Sequence, residues 1–482
     1  MEVDVLSRLS QQLKRAGQTK RNHKLRSTPL KRSNRRLRFA KEQYKKGYAA
    51  GYQMGIASGK EQFDHHIDGT SIIIPTYNKL NMLKQCIASI QQYTSEAHEI
   101  IVVDDASTDG TAAYLRKLSG QIRYQIHDKN YGFAGSINTG LKMAKGKTIC
   151  LLNNDIIVTT NWLGNLLHCL ESDPAIGMVG PVTNFISGEQ QIEVAYGTNQ
   201  EMQQFARQYN EQDASKWKMV ERIVGFCMLF HKSFFEEIGY LDEGYRIGNF
   251  EDEDFVIRTR LAGRKLAIAG DCFIHHFGSQ SMKELGEQLQ DIYKKNEAFY
   301  QQKWSNPYEW VQRVTEWSES KSKTKSLSMS TKNEMETGVS LRAISFYPTH
   351  IAVTGLNGTI FWVEQGIKHP IRGAYPFPTV KLSQIELLSW PTGSDIEADR
   401  AAEKWRKTTN QDGSVPDGGV FVTEHGRWFQ RDGITCRAVI SEYALKQWKL
   451  NDRVMSRSEA EKLLWEEGLP IMAPPVFVNS NL

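Results

Sequence analysis

The sequence of 482 residues lacks any uncharged apolar run close to the roughly 18–20 residues that a membrane-spanning helix needs. Its start, Met1-Glu2-Val3-Asp4, lacks the basic and then apolar pattern of a secretion signal. The six cysteines are widely spread without a Cys-x-x-Cys pair, which argues against a zinc ribbon and against a disulfide framework. We therefore expect a cytoplasmic protein whose cysteines are reduced, buried thiols.

The composition, 40% hydrophobic and 24% charged, is that of a globular protein with two to four folded units. The net charge of +5 conceals a basic N-terminal arm, defined here as residues 1–68, because residues 1–60 carry 16 Lys and Arg against 3 Asp and Glu. We expect this arm to be partly disordered or helical. Clustered basic residues could bind an anionic membrane surface or a nucleic acid. Binding to a membrane would give the protein a peripheral location at the inner face of the membrane.

Within the arm, glycines recur at every fourth position from Gly47 to Gly59. On a helix they would share one face and allow close helix–helix contact, hence self-association. Because Gly disfavours helix, a flexible spacer is the alternative.

From Thr70 onward, short β-branched runs alternate with helical segments, which is typical of βαβ units and predicts an α/β fold with a largely parallel sheet. In such a sheet the functional edge lies where the strands end. The first two predicted strands end in Ile74-Pro75-Thr76-Tyr77-Asn78 and in Val103-Asp104-Asp105. Asp109, a few residues later, we interpret as a helix cap.

Three further segments carry polar residues at strand or helix ends. The glycines of Asn130–Gly140 would allow a backbone to approach a phosphate, although the spacing fits neither a dinucleotide nor an ATP fingerprint. Asp155, at the end of a buried strand, is placed to hold a hard divalent cation with a substrate diphosphate. The four acids of Asn249–Phe255 exceed what a helix N-terminus requires, and His275-His276 could bind a metal or a phosphate.

Taken in this order, the motifs resemble those of a family-2 glycosyltransferase with the GT-A fold, over about residues 69–305. Within that family they are similar to the rhamnosyltransferase-like and cell-surface polysaccharide subgroup. The motifs that carry the resemblance are Ile74–Asn78, Val103–Ser107, Asn130–Gly140, Leu152–Asp155, Gly239–Asp242 and Phe250–Asp254, followed by Arg258, Gly263 and the histidine strand.

The resemblance implies a nucleotide-sugar site made of Pro75, Tyr77, Asn78, Asp104, Asp105, Gly132, Asn138, Asn153 and Asn154. Tyr77 would stack on the nucleobase, and Asp104 or Asp105 would bind the base and ribose.

Asp155 would bind Mg²⁺ or Mn²⁺, with His276, or alternatively His275, as a metal or diphosphate contact. Asn153 departs from the acid that the family places at this position, which leaves the ligand set open. Asp252 would be the catalytic base beside Glu251.

The resemblance thus implies an inverting, metal-dependent glycosyltransferase of the hexosyl- or deoxyhexosyltransferase class. It would move a sugar from a UDP- or dTDP-linked donor to a hydroxyl of a glycan or cell-surface polymer. The alternative is a catalytically inactive scaffold that binds sugar nucleotides or glycans.

Downstream, residues 306–338 are predicted as a tail helix with a Ser/Lys/Thr linker. Residues 339–482 are predicted as a small β-rich C-terminal module, either a docking module for the acceptor or a structural appendage. Residues 358–366 match residues 418–426 at an offset of 60, which indicates two repeats of a β-hairpin unit.

Overall fold

The computed structural model describes residues 66–278, 287–328, 341–409 and 413–478, together with residues 42, 46 and 47. Residues 66–482 form one compact unit. Apart from those three positions, residues 1–65 of the basic arm lie outside the described residues, and so does the predicted self-association segment beyond Gly47. None of the helices in the described ranges has the length and apolar character needed to cross a bilayer.

Strands and helices alternate through residues 66–278. The strands are β1 (Ile67–Thr76), β2 (His98–Asp104), β3 (Arg123–Ile126), β4 (Gly146–Leu152), β5 (Ile156–Ile157), β6 (Ile176–Thr183), β7 (Trp217–Val220), β8 (Cys227–His231) and β9 (Lys265–His276). The helices are α1 (Leu80–Tyr93), α2 (Thr111–Lys117), α3 (Gly132–Met143), α4 (Trp162–Glu171), α5 (Asn199–Tyr209), α6 (Lys232–Ile238) and α7 (Glu251–Leu261).

Two longer helices, α8 (Glu287–Trp304) and α9 (Pro307–Ser328), lead into the C-terminal region. There the strands are β10 (Ile351–Thr354), β11 (Ile360–Glu364), β12 (Ile367–Arg372), β13 (Val380–Lys381), β14 (Ile396–Glu397), β15 (Val420–Val422), β16 (Trp428–Asp432), β17 (Thr435–Ala438), β18 (Val454–Ser456) and β19 (Glu466–Glu467). The helices are α10 (Gln384–Ser389), α11 (Ala398–Lys407), α12 (Glu442–Gln447) and α13 (Glu459–Lys462).

The first nine strands form one mixed sheet in the order β3-β2-β1-β4-β8-β6-β9-β5, with β7 beside β9. β1 is parallel to both β2 and β4, whereas β8 runs antiparallel to β4. The register pairs Thr76 with Asp104. The ends of β1 and β2 are therefore level, and the polar residues after them meet at one edge of the sheet.

The central strands are buried on both faces, which explains why they read as continuous apolar runs. Along β1, Ile72 and Ile74 pack into one core while Ile73 packs into the other, on the opposite face of the sheet. All six cysteines are free and buried, as the sequence analysis predicted.

Residues 306–338, predicted as a tail helix with a Ser/Lys/Thr linker, are helical as far as Ser328, where α9 ends. Val311 and Val314 are buried against the neighbouring helices and strands. Trp317 Nε1 donates to the carbonyl oxygen of Glu467 at 3.2 Å, and Lys321 pairs with Glu466 at 3.2 Å. Packing against β19 therefore stabilises a helix in a stretch whose Ser/Lys/Thr composition favours a linker.

The C-terminal region contains two five-stranded sheets with the same topology, β13-β10-β11-β12-β14 and β18-β15-β16-β17-β19. In each sheet a three-stranded antiparallel meander has a parallel strand on either side. In this topology Gly358 is equivalent to Gly426, and Gly366 is equivalent to Gly433. All four glycines have positive φ in the hairpin turns. The offset of 60 is therefore wrong, since it aligns β11 with β15 instead of β16.

One hydrophobic core joins this region to the first sheet domain. It contains Ile257 and Leu261 of α7, Trp304 of α8, and Trp390 and Trp448 of the C-terminal region. Residues 341–478 are thus packed directly onto α7, whose N-terminus carries the four acids noted above.

Candidate active site

The polar strand ends and the start of α7 surround one cleft of about 1190 Å³. Most of the side chains predicted for the site line this cleft: Pro75, Tyr77, Asn78, Asp105, Gly132, Asn153, Asn154, Asp155, Glu251, Asp252 and His276. They come from six separate segments that the strand order of the mixed sheet brings to one edge.

Two predicted residues, Asp104 and Asn138, do not line the cleft. Asp104 has no exposed surface, and its Oδ1 accepts a hydrogen bond from the Ser107 amide at 3.0 Å. Asn138 is equally buried and binds both the amide and the carbonyl of Leu241. In the structure these two residues support the loops behind the cleft, and Asp105 is the acid of the pair that borders it.

The loops after β1 and β2 are tied to each other by side chains. The Ser107 hydroxyl accepts from the Asn78 amide at 2.7 Å, and Asn78 Oδ1 accepts from the Thr108 amide at 2.9 Å. Asp109 accepts from the first amides of both α1 and α2, which agrees with its interpretation as a cap. These bonds leave the Tyr77 ring at the cleft with 49% of its surface exposed.

The side chain of Asp105 holds the start of α3 by accepting hydrogen bonds from backbone amides there. Its Oδ1 accepts from the Tyr131 amide at 2.8 Å and contacts His127 Nδ1 at 2.8 Å, while its Oδ2 accepts from the Gly132 amide at 2.9 Å. Gly132 has φ of 81°, and a Cβ there would lie 3.3 Å from the Ile247 amide nitrogen. A glycine is therefore required where α3 approaches the loop before α7.

At the opposite wall, β5 pairs with the end of β9 and brings His276 beside Asp155. His276 Nε2 lies 3.4 Å from Asp155 Oδ1, and both side chains are almost completely buried. His276 Nδ1 lies 2.8 Å from the Phe185 carbonyl oxygen, which fixes the proton on Nδ1 in the neutral ring. His275 points elsewhere, to the Tyr196 hydroxyl at 2.6 Å, so His276 is the histidine of the cleft.

This pair fits a divalent cation. With Nδ1 protonated, Nε2 presents a lone pair, and it has no hydrogen-bond partner among the described residues. A lone pair and a carboxylate oxygen at 3.4 Å repel each other unless a proton or a cation lies between them. No group of three or more candidate metal ligands occurs in the described part of the chain. A cation held by this pair would take further oxygen ligands from a bound diphosphate.

The four consecutive acids at the start of α7 occupy four different environments. Glu251 is buried, and burial, reinforced by Asp252, raises its pKa well above the usual value. Asp252 borders the cleft and accepts from the Gly225 and Glu253 amides at 2.9 and 3.0 Å. Glu253 pairs with Arg222 at 2.5 Å. Asp254 points into the core, where it contacts Arg258 and Lys303.

Several residues that line the cleft were not predicted from the sequence. Ser136, Phe185, Arg222, Phe250 and Tyr293 belong to this group. Ser136 falls within the glycine-rich segment that was singled out, which is the signal that could have found it. Arg222 and Phe185 lie in irregular segments, and no local pattern marks either one.

Some buried polar atoms around the cleft have no hydrogen-bond partner among the described residues. Four of them belong to residues that line it: Ser136 Oγ, Asn153 Oδ1, Glu251 Oε2 and His276 Nε2. Such atoms are uncommon in folded proteins and indicate that a ligand, ion or water satisfies them.

Comparison with known proteins identifies the first sheet domain. Residues 71–239 match the family described as "Glycosyl transferase family 2". The similarity to a family-2 glycosyltransferase domain holds over these residues, and the resemblance drawn from the motifs is confirmed. The match and the mixed sheet of β1 to β9 also confirm the predicted α/β, GT-A fold class, while the subgroup stays a prediction.

Two curated relatives illustrate the extent of the similarity. The chain is 27% identical over 210 residues to glycosyltransferase GlyG of Streptococcus pneumoniae, covering 42% of this chain and 68% of GlyG. It is 32% identical over 120 residues to a chondroitin synthase of Escherichia coli, covering 24% of this chain and 17% of the synthase.

Among solved structures, GalNAc-T7 with UDP, GalNAc and Mn²⁺ aligns at 18% identity with a TM-score of 0.36, covering 44% of each chain. The mannosyltransferase PcManGT of Pyrobaculum calidifontis, in complex with GDP-Man and Mn²⁺, aligns at 19% identity with a TM-score of 0.34. That alignment covers 44% of this chain and 57% of PcManGT.

Proposed function

We propose that the protein is an inverting, metal-dependent glycosyltransferase that moves a sugar from a nucleotide-diphosphate donor to a hydroxyl of a glycan or cell-surface polymer. The observation that carries the proposal is the pairing of two sites in one cleft: Asp155 with His276 on one wall, and Asp252 on another. The first suits a cation with a diphosphate, and the second suits an acceptor hydroxyl.

The donor side lies between Tyr77 and Asp155. The exposed Tyr77 ring is available to stack on a nucleobase. Pro75, Asn78, Asp105, Asn153 and Asn154 surround the same space, and Gly132 lets the N-terminus of α3 come close to a phosphate. A divalent cation held by Asp155 and His276 would act as a Lewis acid that stabilises the departing diphosphate.

The acceptor side is the region around the start of α7. Asp252 would take the proton of the attacking hydroxyl, so that the new bond forms as the bond to the diphosphate breaks, with inversion at the sugar carbon. Phe250 and Tyr293, with ring centroids 5.1 Å apart, offer apolar surface to a sugar ring there. The similarity to a relative named chondroitin synthase supports a glycan acceptor.

The donor we expect is UDP- or dTDP-linked, with a hexosyl or deoxyhexosyl group. To test the site, UDP and dTDP would be titrated calorimetrically with Mn²⁺ or Mg²⁺ against wild type, Asp155→Ala and the control Asp68→Ala, whose carboxylate is on the surface. Asp155→Ala should lose metal-dependent binding while the control retains it. Unchanged metal-dependent affinity in Asp155→Ala would rule out the metal assignment.

Turnover separates the enzyme from the inactive scaffold. A panel of nucleotide sugars would be incubated with glycan acceptors and Mn²⁺ or Mg²⁺, and release of free nucleoside diphosphate would be measured. Product with inverted anomeric configuration supports the proposal. Tight donor binding without any release across the panel would favour the scaffold instead.

A further inference from the structure

The loop before α7, residues 246–250, has an unusual backbone. Ile247, Asn249 and Phe250 have φ of 66°, 80° and 72°, in the left-handed region that side chains other than glycine disfavour. For the β-branched Ile247 this conformation is a genuine outlier. Such a loop persists only where surrounding contacts impose it.

One residue on α8 makes four hydrogen bonds to this loop. Asn296, which is 1% exposed, accepts from the Arg246 amide through Oδ1 at 3.0 Å. Its Nδ2 lies 3.0, 2.8 and 3.2 Å from the carbonyl oxygens of Arg246, Gly248 and Asn249. A single side chain thus contacts three of the four residues that precede Phe250.

This loop sets the position of the candidate base. Phe250 is the N-cap of α7 and provides no side-chain cap, so the preceding backbone fixes where the helix begins. Glu251 and Asp252 follow directly. On the other side, the Ile247 carbonyl accepts from the Phe133 amide at 3.1 Å, which links the loop to the start of α3.

Asn296 itself does not line the cleft and lies outside the segment that matches the glycosyltransferase family. It can therefore act only through the loop. We propose that Asn296 is a positioning residue that holds the strained loop 246–250 so that Asp252 faces the acceptor hydroxyl. This inference rests on the proposed function, because it assigns Asn296 to the transfer step.

The test compares Asn296→Ala and Asn296→Asp with Asn165→Ala. Asn165 is a matched control because it is also a buried asparagine, and its Nδ2 donates to the carbonyls of Asn210 and Asp271, which do not line the cleft. Measured for each variant are kcat, the affinity for UDP with Mn²⁺, and hydrogen exchange of the amides in residues 246–254.

We expect both Asn296 variants to lose about tenfold to 10²-fold in kcat, since a small misplacement of a catalytic group has effects of this size. Affinity for UDP should change by less than about threefold, and exchange should rise in 246–254 alone. Asn165→Ala should match wild type in kcat and in exchange of that loop. Near-normal kcat in both Asn296 variants would overturn the inference.

A rescue experiment distinguishes positioning from general loss of structure. Glycine adopts positive φ without strain, so adding Ile247→Gly to Asn296→Ala should restore part of the lost kcat. Absence of any recovery would contradict the role of strain.

If wild type shows no transfer with any donor, the proposed function fails and takes the catalytic role of Asn296 with it. Unchanged exchange in residues 246–254 of the Asn296 variants would show that Asn296 does not hold the loop, whatever the activity, and would overturn the inference.

Discussion

Replacing Lys303 with methionine should strongly destabilise the protein, although lysines are usually surface residues. Lys303 has no exposed surface, and its ammonium lies 2.6 Å from Asp242 Oδ2 and 2.5 Å from Asp254 Oδ2. Arg258 Nε lies 2.8 Å from the other oxygen of Asp254. Two cations and two anions thus form a neutral, fully buried cluster that joins α7, α8 and the segment after α6.

The expected loss of unfolding free energy follows from the groups that the substitution leaves without a partner. Methionine retains the apolar stem and a similar helix propensity, so the main change is the loss of one buried positive charge. Asp254 would keep Arg258, whereas Asp242 would lose the cation beside it, and removal of one partner from a buried ion pair costs about 3–5 kcal/mol. Lys446→Met is the control, since Lys446 pairs with Glu442 on an exposed helix surface and should cost less than about 1 kcal/mol.

The effect should depend on pH. Burial opposes ionisation of Asp254, but Lys303 and Arg258 still hold its pKa below the usual value. A lowered pKa contributes stability above the unfolded value of about 3.9 and loses it as the pH falls further. Without Lys303 the unpaired carboxylate gains from protonation, so the deficit of the variant should shrink as the pH falls from 7 towards 4.

Urea unfolding of wild type, Lys303→Met and Lys446→Met at several pH values measures all of these quantities. The double variant Lys303→Met/Asp242→Asn restores neutrality and should recover part of the loss, with a coupling energy between the two sites. A deficit equal to that of Lys446→Met, or one that does not change with pH, would refute the assignment of a buried charge cluster.

Three further predictions concern the cleft and the arm. Asp252→Asn should retain affinity for UDP with Mn²⁺ while single-turnover transfer falls by about 10²–10⁴, the usual contribution of a general base. Burial and then Asp252 raise the pKa of Glu251. The contribution of Glu251 to stability is therefore present below about pH 4.3 and is lost as the pH rises through the pKa of the folded state. Glu251→Gln should therefore gain unfolding free energy relative to wild type between pH 5 and 8 in urea titrations. Deleting residues 1–60 should lower co-sedimentation with anionic vesicles at low salt and spare turnover on a soluble acceptor.

The parts of the site that the sequence predicted share one property, namely that local order in the chain determines them. Polar residues after parallel strands meet at one edge whatever the rest of the chain does, and the pairing of Thr76 with Asp104 realises this. The same reasoning could not separate Asp104 from Asp105, because a shift of one residue decides which side chain faces the cleft and which faces the loop behind it.

What the sequence could not predict depends on residues far apart in the chain. Lys303 reads as a solvated position of an amphipathic helix, and Asp254 reads as one more acid at a helix start. Their contact across 49 positions is set by how α8 packs on α7, which no local pattern encodes. The offset of the two repeats failed for a related reason: matching letters favoured one hairpin, whereas strand pairing defines the equivalence.

The acids of α7 connect the cleft on one side of the helix to the C-terminal region on the other. Asp252 and Asp254 are two positions apart and therefore about 200° apart around the helix, so one borders the cleft while the other is buried in the cluster with Lys303. Lys303 in turn accepts from the Ser441 hydroxyl through its carbonyl, and Asp242 Oδ1 accepts from the Val476 amide at 3.1 Å. The helix that presents the candidate base is thus held from behind by residues of the C-terminal region. That region is part of the framework of the site, whatever further role it has in binding an acceptor.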